Sequence, residues 1–271
     1  MTSGSPIGGA AILTDSDILV RLSAPGDGRL VVSPLLNLDK QLGPSSLDVR
    51  LGPDFRVFQR RRIAFLDPFL APEVIRNQVS EYSEGVEVFC DPERGGFVLH
   101  PGQFALGATL EFIRLPDDIG ARIEGRSSWG RLGLQIHATA GFIDPGFRGR
   151  ITFELANIGD LPIPLYVGLR VAQLAFFKGV PALRPYGSDR KYQFSMGAMS
   201  SQFYRDPEIR QYRELLGKRR VDRLRKKLTN EIRKAEARAS GAPLDEGFLT
   251  VLAKELSLLA TSSATGEEEA P

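Results

Sequence analysis

Between Glu124 and Phe176 the chain gathers residue types that can grip phosphate and move protons. Arg126, Ser127, Ser128 and Arg131 precede one turn, Asp144 lies inside it, and Glu154 falls in the apolar, β-rich run that follows. In Gly125-Arg126-Ser127-Ser128 the glycine allows close backbone approach, while guanidinium and hydroxyl donors suit phosphate oxygens. The same residues also make an ordinary surface turn, and Arg-Ser-Ser alone is a weak motif. In Gly141 to Gly149, GFIDPGFRG, Asp144 reads first as the former of an Asp-Pro-Gly turn inside a hydrophobic hairpin. Glu154, in ITFELAN, shares a strand face with Thr152 and Ala156. Such a carboxylate either faces solvent or is partly buried, with the raised pKa that suits acid–base work. Together the set fits a phosphorylated sugar carrying a group on which protons are exchanged.

Short strands must position these residues. Leu47 to Leu51 and Phe55 to Phe58 alternate apolar and polar residues, as half-buried strands do. After a proline-rich excursion over residues 64 to 84, with room for one short helix, strands resume at Val86 (VEVF) and run through GGFVLHPGQFALGATLEFIRLP. Turn residues between β-branched and aromatic runs, without helical periodicity, predict a mainly β barrel, sandwich or jelly roll. Pro162 and Pro164 place residues 161–165 at a sheet edge. Ahead of this, Thr14-Asp15-Ser16-Asp17 caps a short helix through Leu22.

With 271 residues the chain can bury a substantial core and still carry an appendage. Its single cysteine, Cys90, excludes an internal disulfide framework, fits a reducing compartment, and reads as buried rather than reactive. No apolar run approaches the roughly 20 residues that span a bilayer, and the N-terminus lacks the marks of a signal peptide. The cytoplasm is the expected location. Residues 1–11 are expected to be flexible, 12–205 to form the β domain, 206–260 a basic helical extension, and 261–271 a disordered tail.

The extension differs sharply in charge. From Arg205 to Ser240 there are 13 Lys/Arg against 6 Asp/Glu, with apolar residues at Val221, Leu224, Leu228, Ile232 and Ala235. This is the pattern of a basic amphipathic helix, followed by a second helix over 248–259. The basic helix either packs, solvated, on the protein's own surface or against a symmetry mate, the favoured reading, or forms a nucleic-acid or partner-binding arm; Tyr212 is its only aromatic, so base stacking is not expected and phosphate contact would dominate.

The motifs in order, TDSDI, SSLDVRLG at 45–52, LHPGQFAL at 99–106, the 124–176 core, and RPYGS with KYQ at 184–193, resemble the dCTP deaminase family of the dUTPase-like superfamily over about residues 12–205. The resemblance implies a distorted β jelly roll that assembles as a homotrimer, with sites between subunits, and deaminates dCTP without zinc. One Cys and two His cannot supply the ligand pattern of the zinc deaminases. By resemblance Glu154 is the catalytic glutamate, Ser127 with the Ala140 backbone positions water, and Arg131 holds the pyrimidine region. Arg126 and Ser128 bind the triphosphate, with Trp129 and Gly130 in the same segment, the Trp129 ring serving packing as His100 does. Asp144 lies near the 3′-hydroxyl, Thr152 and Phe153 line the base pocket through their backbone, and Mg²⁺ arrives with the nucleotide. Tyr186, Lys191 and Ser195 belong to an arm over the nucleotide; Ser195 stands where the family often has glutamine, which weakens the arm's phosphate contacts. Single-activity bacterial members carry His-Arg where this chain has Gly141-Phe142, and Gln173 matches the bifunctional members. Both features point to an enzyme taking dCTP through dUTP to dUMP, with Asp144 orienting the water that attacks the α-phosphate. The alternatives are a deaminase that stops at dUTP, or a non-catalytic nucleotide-binding protein, against which the intact Glu154, Ser127 and Arg131 speak. His137, on an apolar run, is either a core residue or part of a regulatory region responding to dTTP.

Overall fold

A computed structural model describes residues 11–58, 70, 72–88 and 96–238, in two compact units. Residues up to 58 and from 76 to 202 form the first; residues 70, 72–75 and 203–238 belong to the second. Cys90, residues 1–10 of the flexible end expected over 1–11, the tail expected at 261–271, and the second helix expected over 248–259 lie outside the described residues, while Ala11 is the first residue of a strand.

In chain order the strands are β1 (Ala11–Ile12), β2 (Val31–Ser33), β3 (Leu47–Arg50), β4 (Asp54–Phe58), β5 (Ser83–Glu87), β6 (Phe97–Leu99), β7 (Phe104–Ala108) and β8 (Phe112–Arg114). They continue as β9 (Ile119–Gly125), β10 (Leu134–Gln135), β11 (Phe142–Ile143), β12 (Arg148–Gly149), β13 (Thr152–Asn157), β14 (Ile163–Leu165) and β15 (Arg170–Lys178). The helices are α1 (Asp15–Ser23), α2 (Leu38–Gln41), α3 (Pro72–Tyr82), α4 (Ser127–Gly130) and α5 (Pro207–Arg238). The mainly β class expected from the sequence is what the first unit adopts, as a distorted jelly roll of antiparallel sheets.

One five-stranded sheet runs β1-β15-β9-β11, with β3 also paired to β15; another runs β10-β13-β7-β4-β5. Smaller sheets join β12-β8-β2 and β14-β6. The two-residue period drives the packing. On β13 Phe153, Leu155 and Asn157 are buried while Thr152, Glu154 and Ala156 share the other, half-buried face. Phe153 from this sheet and Phe176 from the first enter one common core with Leu47, Val49 and Phe55. Each such side chain contributes about 1.5–3 kcal/mol by leaving water.

Two buried polar side chains of this core, Asn157 and Glu111, are satisfied. Asn157 donates to the carbonyls of Leu99 and Leu161 at 2.8 Å each, tying β13 to the β6 and β14 ends. Glu111, fully buried, accepts from the Arg50 backbone at 2.8 Å, from its guanidinium at 3.2 Å and from Gln41 at 3.1 Å. Burial pushes the Glu111 carboxyl above its ordinary value, against the lowering pull of the Arg50 hydrogen bonds. At the start of α1, Thr14 donates its N–H and its hydroxyl to Asp17 at 3.1 and 2.8 Å, the cap expected from TDSD.

The excursion expected at 64–84 holds α3 among its described residues, and the strand expected at Val86 begins three residues earlier, at Ser83. In the second unit α5 continues unbroken for 32 residues. Among the described residues no helix is long and apolar enough to cross a membrane.

Candidate active site

The outer face of the first sheet carries a polar row. In register across three strands, Asp48 on β3 faces Gln173 on β15, which faces Glu124 on β9. Strict alternation would send Arg170, three residues before Gln173, to the opposite face. A register shift between Arg170 and Ala172 prevents this: Val171 and Ala172 are consecutively buried, and Arg170 emerges beside Asp48. Arg126 reaches the same face because it follows Arg122 and Glu124 at two-residue spacing on and beyond β9.

These residues interlock. The Asp48 carboxylate lies 3.3 Å from Arg126 Nε and 3.1 Å from an Arg170 terminal nitrogen. The Arg170 carbonyl accepts from the Arg126 guanidinium at 3.2 Å and from the Trp129 indole at 3.1 Å, and the Arg126 N–H donates to Val171 at 3.1 Å. Arg170 also contacts the Lys40 carbonyl. Burial raises the Asp48 carboxyl above its ordinary value, while Arg126 and Arg170 pull it down. Two guanidiniums against one carboxylate leave the cluster cationic. Arg126 thus opens α4 with its side chain fixed on one edge and about a third exposed, at 32%. Ser127, Ser128, Gly130 and Arg131 are exposed beyond it, and Trp129 is half-buried against the core.

Glu154 is held differently. Its N–H donates to the Ile136 carbonyl at 2.8 Å, and its Oε2 accepts from the N–H groups of Ala138 and Thr139 at 2.7 and 3.4 Å. The loop after β10 is therefore stitched to β13 in both directions. A hydrogen bond to a charged group contributes about 1.5–3 kcal/mol, enough to offset the roughly 2 kcal/mol lost on ordering a glutamate side chain. Among the described residues Oε1 makes no hydrogen bond. Glu154 is half-buried on β13.

His137 precedes Ala138 in this loop rather than on an apolar strand, and its Nε2 lies 3.5 Å from Glu124 Oε2. Of the core and regulatory readings for His137, the core one does not hold: the side chain is half-buried and its Nδ1 is buried with no partner among the described residues. Glu124 also contacts Arg122. His100, expected to pack, is exposed at a turn where its N–H donates to Gln103 Oε1 at 3.0 Å.

Asp144 forms the turn read from DPG: its carbonyl accepts from Phe147 at 3.2 Å, Gly146 has φ 86°, and its carboxylate is exposed. A Cβ on Gly146 would stand 2.8 Å from Pro185, so only glycine admits the close approach of the segment that follows. That segment folds along the turn and β12. Tyr186 N–H donates to Pro145 at 2.8 Å, Gln193 bridges the Gly146 and Tyr186 carbonyls at 3.0 and 2.7 Å, and Arg150 N–H donates to Ser195 at 2.7 Å. The Tyr186 ring meets Phe147 edge-on at 5.8 Å and its hydroxyl accepts from Tyr192 at 3.2 Å. Lys191 lies over the Tyr192 ring at 5.9 Å. Ser195 is buried and donates to Gly197 at 3.0 Å, so its hydroxyl is spent within the arm itself. Thr152 Oγ1 accepts from Met199 at 3.2 Å. The Phe153 ring lies in the core at 1% exposure.

The structure thus brings Arg126, Trp129 and Gln173 onto one face, and Glu154 beside the loop leading to exposed Ala140. Helix α4 packs beside β10, and β10 pairs with β13, yet among the described residues no hydrogen bond joins Ser127, Ser128 or Arg131 to Glu154. Sequence reasoning passed over Asp48 and Arg170. Asp48 lies within SSLDVRLG, but only the register shift reveals why Arg170 meets it.

A family description, dCTP deaminase-like, matches residues 12–179. The chain is 47% identical over 201 residues to a dCTP deaminase of Halorubrum lacusprofundi, covering 73% of this chain and 94% of that one. It is 43% identical over 204 residues to a "dCTP deaminase, dUMP-forming" of Methanobrevibacter smithii, covering 74% and 99%. To a protein of the same description from Nocardia farcinica it is 47% identical over 197 residues, covering 71% and 92%. The chain belongs to the dCTP deaminase-like family.

Proposed function

We propose that this protein converts dCTP to dUMP: water replaces the 4-amino group to give dUTP and ammonia, and a second water cleaves dUTP to dUMP and pyrophosphate. The observation that carries the reading is Glu154, anchored through Oε2 by two backbone N–H groups with Oε1 left to exchange a proton, in a chain so similar to dUMP-forming relatives. Oε1 takes a proton from water as its oxygen bonds to C4 and passes it to N3. The C4–N bond then breaks and the amine leaves as ammonia with the second proton. Ser127 and the Ala140 backbone position that water, and Arg131 holds the pyrimidine region. The Thr152 and Phe153 backbones and Gln173 line the base and sugar.

Arg126, Ser127 and Ser128 meet the triphosphate, with Trp129 and Gly130 shaping the segment. Asp144 accepts from the 3′-hydroxyl and orients the water that attacks the α-phosphate. Tyr186, Lys191 and Ser195 belong to the arm over the nucleotide. The donor set offers N–H and O–H groups to phosphate, and among the described residues no three or more His, Cys, Asp or Glu side chains converge. That chemistry fits Mg²⁺ arriving on the triphosphate rather than held in a protein cage. When bound, Mg²⁺ neutralises charge on the departing pyrophosphate. A homotrimer whose sites combine two subunits would bring α4 residues of one copy to Glu154 of the next, and His137 is the residue through which dTTP would regulate.

Two relatives at 46–47% identity carry the shorter description dCTP deaminase, which keeps a deaminase stopping at dUTP as the second reading. Incubation with dCTP and Mg²⁺, with dUTP, dUMP and pyrophosphate resolved over time, separates them. Equal amounts of dUMP and pyrophosphate are expected; dUTP that accumulates and is never cleaved would overturn the second step.

A further inference from the structure

Helix α5 lies outside the 12–179 family match, and relatives matched over 92–99% of their own length leave more than a quarter of this chain unmatched. None of its residues is among those proposed for the site, and its charge is concentrated. From Lys218 to Lys227 there are seven Lys/Arg and one acid, Asp222. Lys218, Arg219, Arg223, Lys226 and Lys227 are all exposed.

At 3.6 residues per turn Arg219, Arg223 and Lys226 form one stripe, flanked by Lys218 and Lys227, over about 13 Å of helix. Positions 221, 224, 228 and 232 of the apolar repeat fall on the opposite side. The pairs Arg219–Arg223 and Arg223–Lys227 are like charges at i,i+4, each costing about 0.2–0.5 kcal/mol in an isolated helix. Asp222 alone within that stretch offsets them. Such a stripe is self-repelling until a polyanion covers it.

We propose that α5 is a docking arm for double-stranded DNA, holding phosphates without reading bases. No aromatic follows Tyr212 in α5, so the stacking platform that captures single strands is missing from this stretch. The apolar repeat also lacks the Trp or Phe by which interfacial helices enter a bilayer. A straight helix fits the wide major groove of B-DNA, whereas the A-form groove of duplex RNA is too narrow.

The test uses the full chain and a fluorescein-labelled DNA duplex of about 20 base pairs, with anisotropy measured between about 50 and 200 mM salt. Contacts to three to five phosphates predict an affinity that falls about 40- to 500-fold across that range. Replacing Lys218, Arg219, Arg223, Lys226 and Lys227 together by glutamine, which keeps helix propensity, should weaken binding at the lower salt by at least about 30-fold. Circular dichroism checks that the helix persists, and dCTP turnover should stay within about twofold, since none of the five replaced residues is a proposed site residue. Absent or salt-insensitive binding, an unaffected variant, or tighter binding to single-stranded DNA, duplex RNA or phosphatidylserine vesicles overturns the proposal. Turnover is read separately, so failure here leaves the enzymatic reading intact, and the reverse.

Discussion

The two ends of the candidate site hold their charged residues by opposite means. Glu154 is fixed by main chain: Ala138 and Thr139 donate to one oxygen, and Ile136 accepts from its own N–H. Arg126 is fixed mainly by side chains and one carbonyl, in a cluster where Asp48 sits between two guanidiniums. A main-chain anchor keeps its geometry when neighbouring side chains change, which suits the role proposed for Glu154, a carboxylate whose reacting oxygen would be placed within a fraction of an ångström. A side-chain cluster can yield slightly, which suits the contact with flexible phosphates proposed for Arg126. The difference predicts that substitutions at one end act on turnover and at the other on binding.

The largest effect expected at the phosphate end is from Arg126→Gln. Loss of a charged donor worth about 1.5–3 kcal/mol raises KM for dCTP about 10- to 150-fold, with kcat changed much less. A fall in kcat with KM unchanged would erase the contrast between the two ends. Asp48→Asn sharpens it. Asp48 acts through Arg126, so the variant should raise KM about three- to tenfold at constant kcat, an energy of about 0.7–1.4 kcal/mol. Adding Asp48→Asn to Arg126→Gln should then cost little more; fully additive effects would show that Asp48 does not act through Arg126.

The smallest effect lies away from the site, at Glu111. Its folded carboxyl titrates above the ordinary 4.5, mainly because it is buried. The folded state therefore binds the proton more tightly than the unfolded chain. Stability from this group is complete below 4.5 and is lost as pH rises through the folded value. Denaturant titrations should show that loss in the native protein and a flatter profile in Glu111→Gln over the same window. Parallel profiles would mean that Glu111 titrates alike in both states.

Period and turn chemistry in the sequence carried much of this molecule. Alternation gave β3, β4 and the face of β13 that presents Glu154, DPG gave the Asp144 turn, and TDSD gave the start of α1. What stayed hidden depends on non-local register. Arg170 meets Asp48 only because one extra residue in β15 turns it outward, and nothing in GLRVAQ marks that shift. Glu154's anchor is likewise a contact 15 and 16 residues back, made by backbone groups that every sequence carries. Ser195 and Tyr186 belong by resemblance to the arm over the nucleotide, and within this chain their hydroxyls serve the arm's own turns.

The central claim is that Glu154 performs chemistry rather than binding, and paired measurement of dCTP affinity and turnover in Glu154→Gln tests it most directly. The neutral amide keeps the size of the side chain but cannot take a proton from water. The account predicts a dCTP Kd within about threefold of the native protein and deamination slowed by about 10²- to 10⁴-fold. Native turnover by this variant, or dCTP binding lost from a correctly folded protein, would contradict it.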